Sequence, residues 1–236
     1  MQYFAEYPYA RELGPGRGPQ IRYQYFVDNG AMLVNCDGRR FVNEALAPTQ
    51  ISPFMKKNPD SAMYLLMNQE IFDKTASQYP FGALVSSPQW TREKWNQELA
   101  DQRVASSGST LEEVCRKWKI PADQLAQQVN AWNEIVKNQK DSEFGRTGIP
   151  KYELKKGPYI MTRIDLWVCL SMGGVRVNKE LKVLRWDEQP ISNLYACGET
   201  VGGVHGAHYL GGDACGFAHT SGYVVGRLLT DQNVAP

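Results

Sequence analysis

The sequence predicts a mixed α+β fold: a helical pair set among β-hairpins, then a β-rich, glycine-marked segment closed by a C-terminal helix. Three observations predict it. Apolar residues recur at helical spacing between Leu111 and Val136. Runs of β-branched and aromatic residues, separated by turn residues, lie on both sides of that stretch. Glycines crowd the region from Gly198 to Gly226. At 236 residues, with 42% apolar and 22% charged side chains, the chain has material for one sizeable core or two small ones, which argues against disorder and against a fibre.

The elements follow in order. Gly14, Pro15, Gly16, Gly18 and Pro19 mark a turn-rich opening. IRYQYFV (21–27) and AMLVN (31–35) read as strands joined across Asp28-Asn29-Gly30, a strong hairpin signal. Cys36-Asp37-Gly38 turns the chain into GRRFVNE (38–44). YLLMNQEIFD (64–73) reads as a strand end running into a short helix, and 82–90 reads as loop. Ser109-Thr110 followed by Glu112-Glu113 offers a capping box, with Leu111, Val114, Cys115 and Trp118 behind it at helical spacing. Pro121 then opens a second helix whose stripe is Leu125, Val129, Trp132, Ile135 and Val136. A charged loop, KDSEFGRTG (140–148), closes the pair.

After Gly157-Pro158 the character becomes β-rich. LWVCLSMGGVRVN (166–178) reads as a strand interrupted at Gly173-Gly174, KVLRW (182–186) as its hairpin partner, and NLYAC (193–197) as a short buried strand. The last helix is predicted from about Ala214 to Leu229. It carries Gly216, Gly222 and Gly226, each about 1 kcal/mol worse than alanine in a helix. Three such residues imply close packing against another backbone or a flat ligand.

Composition limits the function. Lys and Arg total 26 against 25 Asp and Glu, a net charge of +1, so no global field gathers nucleic acid or an anionic membrane. The five cysteines, at 36, 115, 169, 197 and 215, include no CxxC pair and read as reduced thiols. The first residues lack a basic start followed by an apolar run, and no apolar stretch approaches the roughly 18 residues of a membrane span. The expected location is cytoplasmic, with export through a partner chain as the other route.

The chemistry concentrates in CGETVGGVHGAHYLGGDACGFA (197–218). It leaves a strand, loops through glycine, histidine and tyrosine, and feeds a helix, which is where open α/β sheets bind ligands. His205, His208, Asp213 and Cys215 are plausible metal ligands, but their spacing is wrong for a helix-borne HxxxH pair and no CxxC supports them, so no metal is expected. Ser171 and Ser221 stand outside any GxSxG setting. The chain contains neither GxGxxG nor GxxxxGK[ST], and so has no self-contained nucleotide fingerprint.

Five segments in order carry a family resemblance: NGAMLVNCDGRRFVNE (29–44), the helical pair ending in KDSEFGR (140–146), LSMGGVRVN (170–178), PISNLYACGETVGGVHG (190–206) and YLGGDACGFAHTSGYVVGR (209–227). Together they resemble the carboxyl-terminal portion of the fumarate reductase and succinate dehydrogenase flavoprotein family, in the branch of flavocytochrome c, urocanate reductase and 3-ketosteroid dehydrogenase. The resemblance implies a cap or substrate domain over residues 1–168 and, over 169–236, the final segment of a Rossmann-like FAD-binding domain. It implies FAD as cofactor. The family's amino-terminal segment, which carries GxGxxG and most contacts to the FAD diphosphate, is absent from this chain. A second protein chain carrying that segment is therefore the expected partner, and Met1 favours a separate subunit over a fragment.

Residue by residue, Glu199 matches the acid that bonds the flavin's ribityl or ribose hydroxyls, a role for an acceptor-only group. Ser171, Met172, Gly173 and Gly174 match the strand bend near the isoalloxazine. Gly211, Gly212, Asp213 and Ala214 match the start of the helix whose positive end stabilises the reduced flavin anion. Tyr209, His208 and His205 are the catalytic candidates, placed to polarise a carbonyl or pass a proton. His219, inside the helix, is structural.

The departures from the family pattern are informative. Pro48 stands where fumarate reductases place the cap arginine that delivers a proton. Leu170 replaces a histidine, and Tyr209 replaces the arginine that clamps a substrate carboxylate, a bidentate role tyrosine does not imitate. The sequence thus predicts one component of an FAD-dependent oxidoreductase. It exchanges hydride between flavin and an activated carbon–carbon bond of a substrate that is not a dicarboxylate: an enone, a ketosteroid-like compound or an aromatic. Two alternatives are a fumarate or carboxylate reductase whose arginines have moved to Arg39, Arg40 or Arg163, and a non-catalytic partner subunit.

Overall fold

The structure, a computed structural model, describes residues 4–10, 20–86, 91–102, 105–206, 209 and 212–232. In chain order they form β1 (Phe4–Ala10), β2 (Gln20–Ile21), α1 (Tyr23–Val27), β3 (Met32–Val34), α2 (Pro48–Met55), β4 (Ala62–Asn68), α3 (Gln69–Gln78), α4 (Phe81–Leu84) and β5 (Val85–Ser86). There follow α5 (Arg92–Asp101), β6 (Ala105–Gly108), α6 (Leu111–Trp118), α7 (Ala122–Asn138), β7 (Tyr159–Ser171), β8 (Lys182–Leu184), β9 (Pro190–Tyr195), a 3-10 turn at Gly198–Thr200 and α8 (Asp213–Gln232). The fold is mixed, with helices and antiparallel sheets. The chain divides into two compact units: Pro8–Trp167, and Val168–Pro236 with Met1–Tyr7.

The first unit is built on an antiparallel sheet. β4 pairs with β3 on one side, Leu65 opposite Leu33, and with β7 on the other, Leu66 opposite Met161. β6 joins β7, Ser106 opposite Met161. All seven residues of β4 are buried, which is why AMYLLMN reads as one apolar run rather than an alternation. Asn68 ends the strand and caps α3, its side chain accepting from the Ile71 N–H at 2.9 Å. Phe72 then stacks on Trp95 with ring centroids 5.9 Å apart.

The helical pair forms as its spacing predicts. Thr110 Oγ1 accepts from the Glu113 N–H at 3.3 Å, and the Glu113 carboxylate reaches back to the Ser109 N–H at 2.6 Å. Leu125, Val129, Trp132 and Val136 are the buried stripe of α7.

Three expectations need correction. Residues 23–27 are helical, because Tyr23, Phe26 and Val27 are buried together one turn apart and β3 finds its partner in β4 instead. The hairpins expected in the first unit are accordingly absent among the described residues, where the sheet is assembled from strands distant in sequence. The hairpin read between 166–178 and 182–186 forms at its inner end, where Val177 bridges Val183, the Asn178 N–H donates to Lys182 O at 3.0 Å and the Leu184 N–H donates to Arg176 O at 2.8 Å, and β8 pairs on its other side with β9. Finally, the strand expected to be buried at 193–197 is mostly exposed, with Leu194 at 44%. Nothing among the described residues covers it. Within 168–232 the buried residues among those described are Val183, Val201 and Ser221.

No helix among the described residues is long and apolar enough to cross a membrane.

Candidate functional site

The end of β7 and the loop after β9 come together in the second unit. The backbone N–H of Ser171 donates to Glu199 Oε1 at 3.2 Å, joining residues 28 apart in sequence. Ser171 Oγ donates to the Gly173 carbonyl at 3.4 Å. Val175 pairs in parallel with Val201: the Val175 N–H donates to Thr200 O at 2.8 Å, and the Gly202 N–H donates to Val175 O at 3.0 Å.

This crossing works only with glycine. A Cβ on Gly174 would collide with the Thr200 carbonyl and lie 2.6 Å from the Gly202 N, and one on Gly202 would lie 2.6 Å from the Gly174 N. The two backbones are in direct contact, so the Gly173-Gly174 interruption read from the sequence is the place where two chain segments cross.

Ser221 fastens the 3-10 turn to α8. Its hydroxyl accepts from the Gly198 N–H at 2.9 Å and donates to the Phe217 carbonyl at 2.6 Å. Ser221 is buried. Its role as an anchor had no signal in the sequence beyond a lone serine among glycines.

The same loop carries the catalytic candidates. His205 packs edge-on against Tyr209, ring centroids 5.1 Å apart at 74°. His205 Nδ1 is enclosed and has no hydrogen-bond partner within the described residues. Asp213 opens α8 and is exposed. His219 Nδ1 donates to the Cys215 carbonyl at 2.7 Å, a bond within the helix. Among the described residues, the structure brings Glu199 to Ser171, Ser171 to Gly173, and His205 to Tyr209. His208 and Gly211 lie outside the described residues. No cluster of three or more metal-ligating side chains occurs among the described residues.

The arginines of the first unit are engaged elsewhere. Arg40 donates through Nε and Nη2 to Glu44 at 2.8 and 2.9 Å and through Nη2 to Asp141 at 2.9 Å, with all three side chains wholly buried. Arg146 donates to the Val27 carbonyl at 2.8 Å and faces Glu44 at 3.4 Å. Both guanidinium groups lie over the Trp132 ring, 4.8 and 5.4 Å from its centroid. Burial alone lowers the pKa of Arg40, but Glu44 and Asp141 outweigh it and raise the group above its ordinary value. Arg163 donates to Asp60 at 2.9 Å, Asp165 at 3.0 Å and the Tyr64 hydroxyl at 2.8 Å. Arg39 is exposed.

The second unit fits a flavin dinucleotide. Glu199 is exposed and accepts from the Ser171 N–H through Oε1, leaving carboxylate lone pairs for hydroxyl donors. Gly203, Gly206 and Gly212 hold positive φ of 84°, 62° and 99°, and a Cβ on any of them meets only open space, so a planar group has room to approach the backbone. The orphaned His205 Nδ1 marks a polar group with no hydrogen-bond partner among the described residues.

Comparison with known proteins agrees. The urocanate reductase of Eggerthella lenta is 30% identical over 86% of this chain and 31% of its own length. The vinyl phenol reductase of Lactiplantibacillus plantarum is 27% identical over 82% of this chain and 41% of its own length. The open conformation of a flavocytochrome c3 fumarate reductase superposes with a TM-score of 0.68 at 25% identity, covering 94% of this chain and 36% of that one. The chain spans only 18% to 41% of the length of the curated relatives it matches. The family described as an FAD binding domain matches residues 13–214, and the chain therefore belongs to that family, among its fumarate reductase-like flavoproteins.

Proposed function

We propose that this chain is one component of an FAD-dependent oxidoreductase that adds hydride to, or removes it from, an activated carbon–carbon bond of a substrate lacking a carboxylate pair. Residues 1–168 act as the substrate-facing cap and 169–236 as the last segment of the FAD-binding domain, with a second polypeptide supplying the rest. The observation that carries the substrate reading is that position 209 is tyrosine while Arg40, Arg146 and Arg163 already face carboxylates within the chain. A carboxylate reader needs a guanidinium free to form two parallel hydrogen bonds. Recruiting Arg40 would strip a buried pair and strand Glu44 and Asp141.

FAD, when bound, supplies the hydride exchange at its N5. The chain's own residues hold and orient. Glu199 accepts from hydroxyl donors while it fixes the bend at Ser171. Gly212 and Asp213 begin α8, whose amino-terminal end favours negative charge. The Tyr209 hydroxyl, its ring set by His205, donates to a substrate carbonyl or phenol oxygen and moves the proton that accompanies hydride. Urocanate and vinyl phenol, named for two of the relatives, both carry a carbon–carbon double bond conjugated to an activating group, in line with this chemistry.

The test is reduction of fumarate against a phenolic alkene and an enone, by the flavin-loaded complex with a reduced dye. Turnover of the phenolic alkene or enone, with fumarate at background, is the expected result. Fumarate reduction abolished by Arg39→Ala would replace this reading with a relocated carboxylate clamp.

A further inference from the structure

Ser221 is buried at 3% exposure inside α8, and a serine in that setting needs a reason. It is a poorer helix former than alanine, and its hydroxyl is costly to bury without partners. In α8 the hydroxyl has a partner on each side: it donates to the Phe217 carbonyl of its own helix at 2.6 Å and accepts from the Gly198 N–H at 2.9 Å. Thr230 of the same helix shows the first kind of bond, its Oγ1 donating to the Gly226 carbonyl at 2.8 Å. The bond that reaches out of the helix to Gly198 is what distinguishes Ser221.

The turn at Gly198–Thr200 depends on such ties, because none of its three residues is buried and apolar packing does not hold it. Its downstream end is fastened by backbone: the Val201 N–H donates to the Gly198 carbonyl at 3.0 Å, and the Val175 N–H to the Thr200 carbonyl at 2.8 Å. Its upstream end is Gly198, at φ 68°, the residue type with the most backbone freedom to lose. The Ala196 N–H donates to Leu181 O at 3.0 Å. Between that bond and Glu199, the Ser221 hydroxyl fastens the chain. Glu199 follows Gly198 directly, and its Oε1 accepts from the Ser171 N–H at 3.2 Å. Two side chains, Ser221 and Glu199, thus stitch α8, the turn and the end of β7 together.

Resting on the reading of Glu199 as the acid that bonds the flavin's hydroxyls, we propose that Ser221 is a positioning residue for that acid. Being buried, it acts through the Gly198 amide, and it sets where the Glu199 carboxylate stands against Ser171. The same hydroxyl joins the Glu199 turn to the helix that Asp213 opens, so the two elements read as facing the flavin keep one spacing.

Amide hydrogen exchange on the full chain, read by NMR, tests the link without any cofactor. Ser221→Ala is expected to speed exchange about tenfold at Gly198, which loses its acceptor, and to speed it at Ser171 as well, because Glu199 moves. The Val225 amide, inside α8, stays protected, since alanine is the better helix former. Thr230→Ala removes a bond within the same helix and is expected to leave Gly198 and Ser171 at their original rates. Faster exchange at Gly198 with Ser171 unchanged overturns the proposal, because Ser221 then pins the helix without placing Glu199. Lost protection at Val225 puts the effect in α8 itself and overturns it too. FAD affinity of the complete flavoprotein is the second arm: Ser221→Ala is expected to weaken it about tenfold, in the same direction as Glu199→Ala, and Thr230→Ala to leave it unchanged. A loss for Glu199→Ala with none for Ser221→Ala overturns the proposal and leaves the flavin reading standing. Unchanged affinity in both, with exchange raised together at Gly198 and Ser171, sinks the flavin reading of Glu199 and supports the placement of its carboxylate by Ser221.

Discussion

Arg40 donates to Asp141 at 2.9 Å across 101 positions of sequence, and neither side chain has any exposure to water. The pair ties the turn after β3 to the loop after α7. Glu44 and Arg146 complete it, and the indole N–H of Trp132 donates to the Gly30 carbonyl at 2.9 Å, so one polar cluster closes that end of the first unit. Such a cluster specifies an arrangement more than it stabilises one, since desolvation offsets much of the attraction.

Removing one member is another matter. Arg40→Met leaves Glu44 and Asp141 buried with less compensation, and is expected to destabilise the first unit by about 3–5 kcal/mol. The urea midpoint followed by tryptophan fluorescence measures it. Arg176→Ala, which breaks the exposed pair with Glu188, is expected to leave the midpoint unchanged. Equal effects from the two variants would show that the Arg40 cluster is not a structural lock.

The same cluster sets an acid limit. Burial pushes the Asp141 carboxyl up, but the hydrogen bond from Arg40 and the amides of Phe144 and Glu143 outweigh it and hold the group below its ordinary value. The folded chain therefore binds this proton less tightly than the unfolded chain. Below the unfolded carboxylate value of about 4 the unfolded state takes up more protons, so stability falls as pH drops through that window and is flat for this group above it. Asp141→Asn is expected to shallow the acid limb of the stability–pH curve. Stability profiles of the two proteins from pH 3 to 7 decide it, and an unchanged slope would assign the acid limb to other carboxylates.

What the sequence makes legible tracks how local the governing interaction is. α6 and α7 are readable because Thr110, Pro121 and the Leu125-to-Val136 stripe act within a few residues of one another. The strand read at 21–27 fails because tertiary burial of Tyr23 and Phe26 overrides the β preference of aromatic residues. KDSEFGR reads as a solvated loop, yet it places Asp141 and Arg146 in the interior, since their partners Arg40 and Glu44 lie about a hundred positions away. In the candidate site, the crowding of glycines marks a ligand loop, but the individual role of Glu199 follows from family resemblance. Its bond to Ser171 is visible only in the fold.

Glu199 offers a direct test of cofactor holding. Glu199→Gln keeps an acceptor for the Ser171 N–H but removes the negative charge available to hydroxyl donors, and Glu199→Ala removes both. With charge-assisted hydrogen bonds worth roughly 1.5–3 kcal/mol, FAD affinity in the complete complex is expected to fall about tenfold for glutamine and further for alanine. Fluorescence titration of the apo complex with FAD measures both. Unchanged affinity in both variants would remove Glu199 from the cofactor site.

Gly174 separates a cofactor effect from a folding effect. Its added methyl would strike the Thr200 carbonyl and crowd the Gly202 N, both of which are backbone atoms of the segment that bonds Val175. Backbone does not rotate aside, so the two segments must part and the Val175 and Gly202 hydrogen bonds lengthen or break. Two lost backbone hydrogen bonds are worth about 1–3 kcal/mol together. Because the Glu199 turn begins at Gly198, one residue after Cys197 and two before Thr200, the same displacement moves Glu199 away from Ser171. Gly174→Ala is therefore expected to raise amide exchange at Val175 and Gly202 in the chain alone, and to lower FAD retention in the complex, while the first unit's urea midpoint stays where it was. Gly203→Ala serves as the comparison: its methyl meets open space although its φ is 84°, so it strains one residue without driving the two segments apart. Exchange at Val175 that is the same in both variants would mean that the crossing of the two segments does not position Glu199.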